Sequence, residues 1–263
     1  MDDKLAVELG AAIYGSVPTV ASHADGGKRS ISAPGAGNYL TLAQAVASIR
    51  DLLGQDALAN ETLVQAHGTS TPQNRVTESE VLSRVAKAFG LDSLSVTAIK
   101  SQIGHSQGTA GGDQLAASLG AFASQTAPGI ETVETLAPDV VQDGLDFVLK
   151  SRKQRITAAL INAKGFGGNN ATAAILSPEA TATLLKSRHG AIPLEGSDEV
   201  QARQAQYRHK IDHGTIEILY HYGENIIEGS DLEIRPESID VPGFGNNMTL
   251  NQAKTKYSDL IKS

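Results

Sequence analysis

The sequence predicts an α/β fold in which helices cover a largely parallel sheet, with the element order β-α-β-α-β-α-β-β. Short apolar stretches of strand length alternate with helical stretches of about ten to fifteen residues, which is typical of such sheets. Strings rich in glycine and hydroxyl side chains directly follow several of the predicted strands. Functional groups of parallel sheets lie at the carboxyl ends of strands, so both observations favour the same fold.

The first elements are a strand, a loop and a helix. Residues 11–21 predict an extended strand, and Pro18 within it predicts a sheet edge or a bulge, because proline cannot donate a hydrogen bond to a neighbouring strand. A loop rich in glycine, serine and proline follows over residues 23–38. Residues 41–53 have apolar side chains at helical spacing, which predicts a helix.

The middle of the chain alternates strand and helix twice. The short apolar stretch 63–66 predicts a strand, and the apolar face of residues 78–89 predicts a helix. Residues 94–99 alternate in the manner of a strand. An alanine-rich helix is then expected over residues 104–124, with small side chains that suit burial against close neighbours.

Three further strands, over residues 145–149, 156–161 and 171–176, close this pattern. We therefore expect one domain over residues 1–176. The composition changes after it, so residues 177–263 are interpreted as a small α+β extension of unknown role. Its predicted elements are helices over 179–187 and 198–213, a strand over 216–220 and a last helix over 250–261.

Composition excludes several classes of function. The formal net charge of the 263 residues is −7 and no long basic run is present, so a nucleic-acid surface is not expected. The densest basic stretch, residues 150–155, is either a solvated turn or a docking site for an acidic partner. The chain has no cysteine, which excludes disulfides and thiolate metal sites, and we expect no bound metal.

The chain also lacks the sequence features of exported and membrane proteins. Its first residues are acidic and have no apolar run typical of a secretory signal. No apolar run approaches the ~18 residues that a membrane-spanning helix needs. These observations predict a cytoplasmic protein without a membrane span.

The first motif, His67-Gly-Thr-Ser-Thr-Pro72, follows the predicted strand 63–66. Its hydroxyl side chains beside one imidazole predict a polar pocket at the end of that strand. Taken alone, His67 is either a functional group or a polar residue of a turn.

The second motif, Lys100-Ser-Gln-Ile-Gly-His105-Ser106, follows the predicted strand 94–99. His105 is placed at the start of the alanine-rich helix, where free N–H groups and the positive end of the helix dipole favour a neutral imidazole. A neutral imidazole can donate a hydrogen bond to an oxyanion. A capping role for His105 and a surface position for Lys100 are the alternatives.

The third motif, Asn162-Ala-Lys-Gly-Phe-Gly-Gly-Asn-Asn170, has closely spaced glycines that allow the backbone to approach a ligand. Phosphate loops and tight hairpins look similar. Because no Gly-Lys-Ser/Thr follows, a P-loop is excluded.

Together and in this order, the three motifs resemble the C-terminal half of a β-ketoacyl-acyl carrier protein synthase, a condensing enzyme of the thiolase superfamily. The resemblance covers about residues 5–176 and implies a thiolase-like half-fold with a mixed sheet. The nucleophile of this family is a cysteine in the N-terminal half, and this chain has no cysteine. We therefore expect this chain to be inactive alone.

The resemblance implies catalytic roles for four residues. His67 would bind the malonyl thioester carbonyl, and with His105 it would stabilise the enolate that forms when the malonyl group loses carbon dioxide. Lys100 would be a buried lysine that orients the site through the carboxylate of Glu78. Arg75 stands where the family commonly has an acidic residue, so the ion pairs around it are expected to differ.

The same resemblance assigns contacts with substrate. Lys164 would supply half of an oxyanion hole through its backbone N–H, although the family has phenylalanine at this position. Because its side chain is charged, we expect it to turn toward solvent or a carboxylate, or else to shorten the acyl channel. The residues implied to line the substrate and phosphopantetheine channel are Thr69, Thr71, Gly165, Phe166 and Gly167.

These implications predict the C-terminal half of a 3-oxoacyl synthase of fatty acid or polyketide biosynthesis, which condenses an acyl thioester with malonyl-acyl carrier protein. Its partners would be the N-terminal half of the same enzyme and the acyl carrier protein. The carrier protein would deliver the phosphopantetheine arm, so no cofactor of the chain's own is expected, and the intact enzyme would be a homodimer. The alternative is a non-catalytic module for dimerisation or carrier-protein docking.

Overall fold

The computed structural model describes residues 1–26, 35–190, 195–216, 227–242 and 248–250. The helices of these residues are α1 (Asp3–Glu8), α2 (Ala36–Leu53), α3 (Gln55–Asn60), α4 (Pro72–Ala88), α5 (Lys100–Ile103), α6 (Ala110–Ser124), α7 (Pro178–His189) and α8 (Asp198–Asp212). The strands are β1 (Ser16–Ala24), β2 (Thr62–Gln65), β3 (Ser93–Thr97), β4 (Thr126–Ala127), β5 (Gly144–Phe147), β6 (Arg152–Lys153), β7 (Ala158–Gly165), β8 (Asn169–Leu176), β9 (Glu233–Arg235), β10 (Ser238–Asp240) and β11 (Met248–Thr249). Short 3₁₀ turns cover Gln107–Thr109 and Gly229–Asp231.

Six strands form the main sheet, in the spatial order β1-β8-β7-β2-β3-β5. Strands β7, β2, β3 and β5 run parallel, whereas β8 is antiparallel to both of its neighbours. This mixed sheet confirms the predicted α/β class. The chain order ends in three strands of this sheet without a helix between them, and β5, β7 and β8 correspond to the strands predicted over 145–149, 156–161 and 171–176.

Strand β1 lies at the edge of the main sheet, as its proline predicts. Its pairing with β8 is irregular between Ser16 and Thr19, the stretch that contains Pro18. The N–H that proline lacks is therefore not needed by the sheet. The strand covers Ser16–Ala24 and so begins and ends later than the predicted stretch 11–21.

Helix α2 begins at Ala36, earlier than the predicted residue 41. The Asp25 carboxylate accepts a hydrogen bond from the N–H of Gly37 (2.8 Å), which satisfies one free donor in the first turn of the helix. Of the loop predicted over 23–38, residues 27–34 lie outside the described residues.

Helices α4 and α6 also differ from the prediction at their starts. Helix α4 begins at Pro72 rather than at residue 78, because the Thr71 side chain accepts from the N–H of Asn74 (3.4 Å) and proline suits the first helical position. Helix α6 begins at Ala110 rather than at residue 104. The backbone of Gln107 is left-handed (φ 61°), which a continuous right-handed helix does not allow.

Apolar side chains pack on both faces of the main sheet, as is usual for parallel strands. In β7, Ala158 and Leu160 belong to a core shared with α2 and α4, whereas Ala159 and Ile161 belong to a core shared with α6. All four side chains are buried. Packing on both faces holds the strands in register, so the residues that follow them meet at one edge.

The helices predicted over 179–187 and 198–213 are present as α7 and α8. The Ser177 hydroxyl caps α7 by accepting from the N–H of Ala180 (3.2 Å). Capping residues and helix propensity therefore predict this part of the chain well.

Contacts within the chain define two compact units, Met1–Ala205 and Gln206–Ser263. Helix α7 packs on the core of the first unit through Ala180 and Leu184. The first unit therefore continues past the domain boundary predicted after residue 176. That boundary rests on the strand pattern and the change in composition, and it stays a prediction.

In the second unit, β9, β10 and β11 form an antiparallel sheet that the sequence analysis did not predict. The strand predicted over 216–220 and the helix predicted over 250–261 lie outside the described residues, apart from the first residue of each. Among the described helices, none is long and apolar enough to cross a membrane.

Candidate active site

Side chains singled out in the sequence meet at one edge of the main sheet. His67 follows β2, Lys100 opens α5 just after β3, and Lys164 lies near the end of β7. These three strands are neighbours and run parallel, so their carboxyl ends share this edge. The strand order therefore brings together residues that are far apart in the sequence.

The Glu78 carboxylate, on α4, is the hydrogen-bonding centre of the site and is 4% exposed. Burial opposes its ionisation, but the charge of Lys164 and several N–H donors outweigh burial and hold the pKa of Glu78 below its usual value. Both oxygens of the ionised carboxylate are fully occupied. The four donors are the N–H of His67 (2.7 Å), Asn162 Nδ2 (2.7 Å), the N–H of Gly68 (2.9 Å) and Asn74 Nδ2 (3.0 Å).

Lys100 is buried, and its Nζ donates to the backbone carbonyl of His67 (2.6 Å). Lys100 is buried, as the resemblance implies, but the described residues hold no ion pair between Lys100 and the Glu78 carboxylate. The reason is that N–H donors already fill both oxygens of Glu78. Burial lowers the pKa of Lys100, and the charges of Glu78 and Asp113 oppose that effect. Lys100 thus holds the backbone that carries His67.

The His67 ring is buried and is held as one tautomer. Its Nδ1 accepts a hydrogen bond from the N–H of Lys164 (3.3 Å), so the ring proton of neutral His67 lies on Nε2. Burial, with the charges of Lys100, Lys164 and His105, outweighs the charge of Glu78 and lowers the pKa of His67 to about 4. His67 is therefore a neutral N–H donor at pH 7, and its buried Nε2 has no partner.

The low pKa of His67 predicts a loss of stability in mild acid. Between the ordinary pKa of 6.5 and the folded value of about 4, the unfolded chain binds a proton that the folded chain does not. The folded state therefore becomes less stable as the pH is lowered through this interval. The contribution of His67 to the free energy of unfolding should decrease by about 3 kcal/mol from pH 7 to pH 4. Urea unfolding at both values checks this, with His67→Gln as the control that should lose correspondingly less. An equal loss in both chains would contradict the low pKa of His67.

His105 is exposed and lies beside His67, with ring centroids 5.6 Å apart and ring planes at 87°. Its Nδ1 accepts from the N–H of Gln107 (3.1 Å), so neutral His105 also carries its proton on Nε2. The predicted position at the helix start is wrong, because α6 begins at Ala110. A single backbone N–H orients this ring in place of the helix dipole. The two rings are close enough for one small group to contact both.

Lys164 departs from the prediction for its backbone N–H, whereas a shortened acyl channel, one of the outcomes expected of its side chain, stays a prediction. Its backbone N–H donates to His67 Nδ1, so it is not a free oxyanion donor in this arrangement. Its side chain turns neither to solvent nor into a hydrogen bond with a carboxylate: it is 9% exposed, and Nζ is buried without a partner. Burial lowers the pKa of Lys164, against the charges of Glu78 and Asp25.

The predicted substrate-binding residues lie in two places. Thr69 lines a cavity beside His105, whereas Thr71 caps α4 and lies 3.4 Å from Thr69 through the hydroxyl oxygens. Phe166 and Gly167 lie in the tight turn between β7 and β8, where Phe166 is 81% exposed and Gly167 has a φ of 84° that favours glycine. Gly165 ends β7 and pairs with Asn169 across this turn.

Three buried amide side chains complete the site. Asn162 and Asn74 donate to Glu78, and Asn162 is the first residue of the third motif, where the sequence predicts no role for it. Gln114 of α6 donates from Nε2 to the carbonyls of Gln65, Ala66 and Asn162 (2.9, 2.8 and 3.1 Å). The sequence carries no signal for Gln114, since its partners become neighbours only through the order of the strands.

A cavity of about 530 Å³ reaches the site between α4, β3 and the segment after α6. Thr69, Lys100 and His105 form part of its polar lining. Arg75, which also lines it, forms a bidentate ion pair with Asp139 (2.8 and 2.9 Å). Its apolar lining consists mainly of Leu82, Val96, Ile130, Val133, Leu136, Val140 and Phe147.

Comparison with known proteins gives matches to a family model and to relatives. Residues 14–134 match the family model described as the β-ketoacyl synthase C-terminal domain. Beta-ketoacyl-(acyl-carrier-protein) synthase FabY of Pseudomonas aeruginosa is 43% identical over 99% of this chain and 42% of FabY. A 3-oxoacyl-(acyl-carrier-protein) synthase 2 of Synechocystis is 38% identical over 42% of this chain and 26% of that protein.

The crystal structure of the noncanonical ketosynthase FabY from P. aeruginosa superimposes on this chain with a TM-score of 0.84 and 42% identity. The match covers 100% of this chain and 42% of that one, so this chain spans less than half the length of FabY. It includes residues 177–263, which the resemblance seen in the sequence left outside. The C-terminal extension is therefore a part that this chain shares with FabY.

Proposed function

The chain belongs to the β-ketoacyl synthase family, and we propose that it supplies the decarboxylation half of a condensing active site. The substrates would be an acyl thioester and malonyl-acyl carrier protein, in fatty acid or polyketide biosynthesis. His67 and His105 would be the electrophilic groups, and Glu78 and Lys100 would position them.

The reaction would begin with the loss of carbon dioxide from the malonyl group. The bond between the carboxylate and the central carbon breaks, and its electron pair moves toward the thioester carbonyl to form an enolate. The Nε2–H groups of His67 and His105 would donate hydrogen bonds to that oxygen. The enolate carbon then bonds to the acyl carbonyl carbon, and the cysteine that carried the acyl group leaves as a thiolate.

The observation that carries this proposal is the pair of imidazoles. Each ring accepts a backbone N–H at Nδ1, which leaves Nε2–H as its donor, and the ring centroids are 5.6 Å apart. The low pKa of His67 keeps that ring neutral at the pH of the reaction. Two N–H donors side by side suit an oxygen atom on which negative charge develops.

The nucleophile must come from elsewhere, because this chain has no cysteine. We expect it from the N-terminal half of the same enzyme, in a homodimer, and we expect this chain to be inactive alone. The acyl carrier protein would deliver its phosphopantetheine arm, so the site needs no cofactor of its own.

The second candidate is a non-catalytic module for dimerisation or carrier-protein docking. The absence of cysteine favours it, as does the engagement of Lys164 N–H with His67 in place of an oxyanion. The retention of two oriented imidazoles around a buried carboxylate favours the enzyme.

The two candidates differ in one experiment. This chain is fused to the part of FabY that it does not cover, and the formation of 3-oxoacyl product from acetyl and malonyl thioesters is measured. The enzyme proposal expects product from the fusion, none from the isolated chain, and a large loss with His105→Ala. A folded fusion that binds carrier protein but forms no product would favour the docking module, and turnover by the isolated chain would refute the need for a second half.

A further inference from the structure

Among the described residues, three nitrogen donors at this edge of the sheet are buried and have no hydrogen-bond partner: Gln65 Nε2, His67 Nε2 and Lys164 Nζ. The last two belong to neighbouring parts of the sheet edge, since the N–H of Lys164 donates to the other nitrogen of the His67 ring (3.3 Å). Buried polar groups without partners are rare in proteins, and each one calls for a physical explanation. Two of them in residues that a hydrogen bond joins indicate that a ligand supplies the acceptors.

The carboxylates whose charges act on Lys164 are already engaged. Glu78 accepts four N–H donors, which fill both of its oxygens. Asp25 accepts from the N–H of Gly37 with one oxygen, and it forms no hydrogen bond with Lys164. The charge of Lys164 is therefore partly balanced at a distance, while its N–H groups remain unsatisfied.

This arrangement lowers the stability of the folded chain, which is not expected of a residue with a purely structural role. A buried ammonium without direct partners is destabilising, and an apolar side chain of similar length would fill the same space at lower cost. A lysine at this position therefore indicates a functional state in which an acceptor reaches Nζ. The acceptor must be compact, because Lys164 is 9% exposed and a movement of its flexible side chain can open only a small volume.

We propose that Lys164 is a specificity-determining residue that binds the free carboxylate of a malonyl-type substrate while His67 donates to the thioester carbonyl of the same group. The inference rests on the proposed function. A malonyl unit presents these two acceptors on a three-carbon skeleton, and the two donors belong to the ends of adjacent strands. An acetyl unit presents only the carbonyl and leaves Lys164 without a partner.

The contact with Lys164 acts on binding more than on the chemical step. The carboxylate leaves as neutral carbon dioxide, so the ammonium interacts more strongly with the bound substrate than with the transition state. Interactions of this kind lower KM without raising kcat. Lys164 would therefore select the carboxylated substrate at the binding stage.

Binding to the isolated chain tests the proposal without any condensation. The probes are malonyl-pantetheine and acetyl-pantetheine with an amide in place of the thioester, and their affinities are measured by calorimetry. The unmodified chain should prefer the malonyl probe by about 10- to 100-fold, the range for one hydrogen bond to a buried charged group. Lys164→Met should lose this preference. Lys87→Met, which changes an exposed lysine paired with Asp143, should keep it.

If Lys164 had only a structural role, its replacement should lower the melting temperature of the chain. We expect Lys164→Met to melt at the same or a higher temperature than the unmodified chain, since it removes an unpaired buried charge. A preference for the malonyl probe that survives in folded Lys164→Met, or that is absent from the unmodified chain, would overturn the proposal. If Lys164→Met does not fold, the ¹⁵N signal of the Lys164 ammonium in the unmodified chain decides: it should move with the malonyl probe and not with the acetyl probe, and an equal response to both would overturn it.

Failure of this inference is distinct from failure of the proposed function. A fusion that condenses, with a KM for the malonyl thioester that Lys164→Met leaves unchanged, would keep the function and refute the role of Lys164. A selective malonyl contact in a chain whose fusion never condenses would keep the contact and refute the function.

Discussion

Replacing Glu78 by glutamine should lower the free energy of unfolding of this chain by about 3–5 kcal/mol, the range for removing one partner from a buried charged network. The carboxylate is 4% exposed and accepts four N–H donors. A glutamine amide turns two of those acceptor positions into donors, so N–H groups would face an NH₂ group. The substitution also removes the negative charge that partly balances Lys100 and Lys164.

Urea unfolding followed by circular dichroism measures this loss. The matched control is Glu80→Gln on the same helix, because Glu80 is half-exposed and its ion pair with Arg84 is long (3.9 Å), so it should cost about 0.5 kcal/mol or less. The folded pKa of Glu78 lies below the ordinary 4.5, so its stabilisation is complete above pH 4.5 and is lost as the pH falls through the folded value. The difference between unmodified and Glu78→Gln chains should shrink in that acid range. Equal effects of the two substitutions at pH 7 would show that Glu78 does not hold the site together.

Replacing His105 should slow the proposed condensation by about 10²–10³-fold in the fusion with the rest of FabY, since that is the usual effect of losing one oxyanion donor. His105 suits this test better than His67 because it is exposed, so its loss should change the free energy of unfolding by about 0.5 kcal/mol or less. The rate effect can then be assigned to chemistry rather than to folding.

Two substitutions of His105 separate its nitrogens. The amide nitrogen of glutamine can reach the position of Nε2, whereas that of asparagine can reach only the position of Nδ1. Because Gln107 N–H occupies Nδ1, the donor to substrate is Nε2, and His105→Gln should retain more activity than His105→Asn. Initial rates of malonyl decarboxylation for both variants measure this difference. Higher activity in His105→Asn would refute the tautomer inferred here for His105.

Much of the site could be predicted because it depends on where strands end. His67 and Lys100 each follow a short apolar strand, and parallel strands place such residues at one edge whatever the details of packing. The partner of Lys100 could not be predicted in this way. Its Nζ reaches the His67 carbonyl because four N–H groups already occupy Glu78, and that competition depends on atomic distances.

The helix starts show the same limit. The apolar period of α4 locates its buried face but not its first turn, which depends on Thr71 as a cap and Pro72 as the first residue. The displaced start of α6 follows from the left-handed backbone of Gln107, and a glutamine does not predict that conformation. The buried state of Lys164 was also unforeseen, because charge alone favours exposure and only the packing around β7 overrides it.

The triple hydrogen bond of Gln114 has a consequence for motion. Through its hydrogen bond to the carbonyl of Ala66 (2.8 Å), Gln114 joins α6 to the residue before His67. The same amide also donates to the carbonyls of Gln65 and Asn162. Helix α6 therefore cannot move along the sheet without breaking hydrogen bonds to both β2 and β7. We expect this attachment to restrain the segment before α6, which carries His105, before any substrate arrives. The reorganisation that a newly formed enolate would otherwise demand is largely completed when the chain folds.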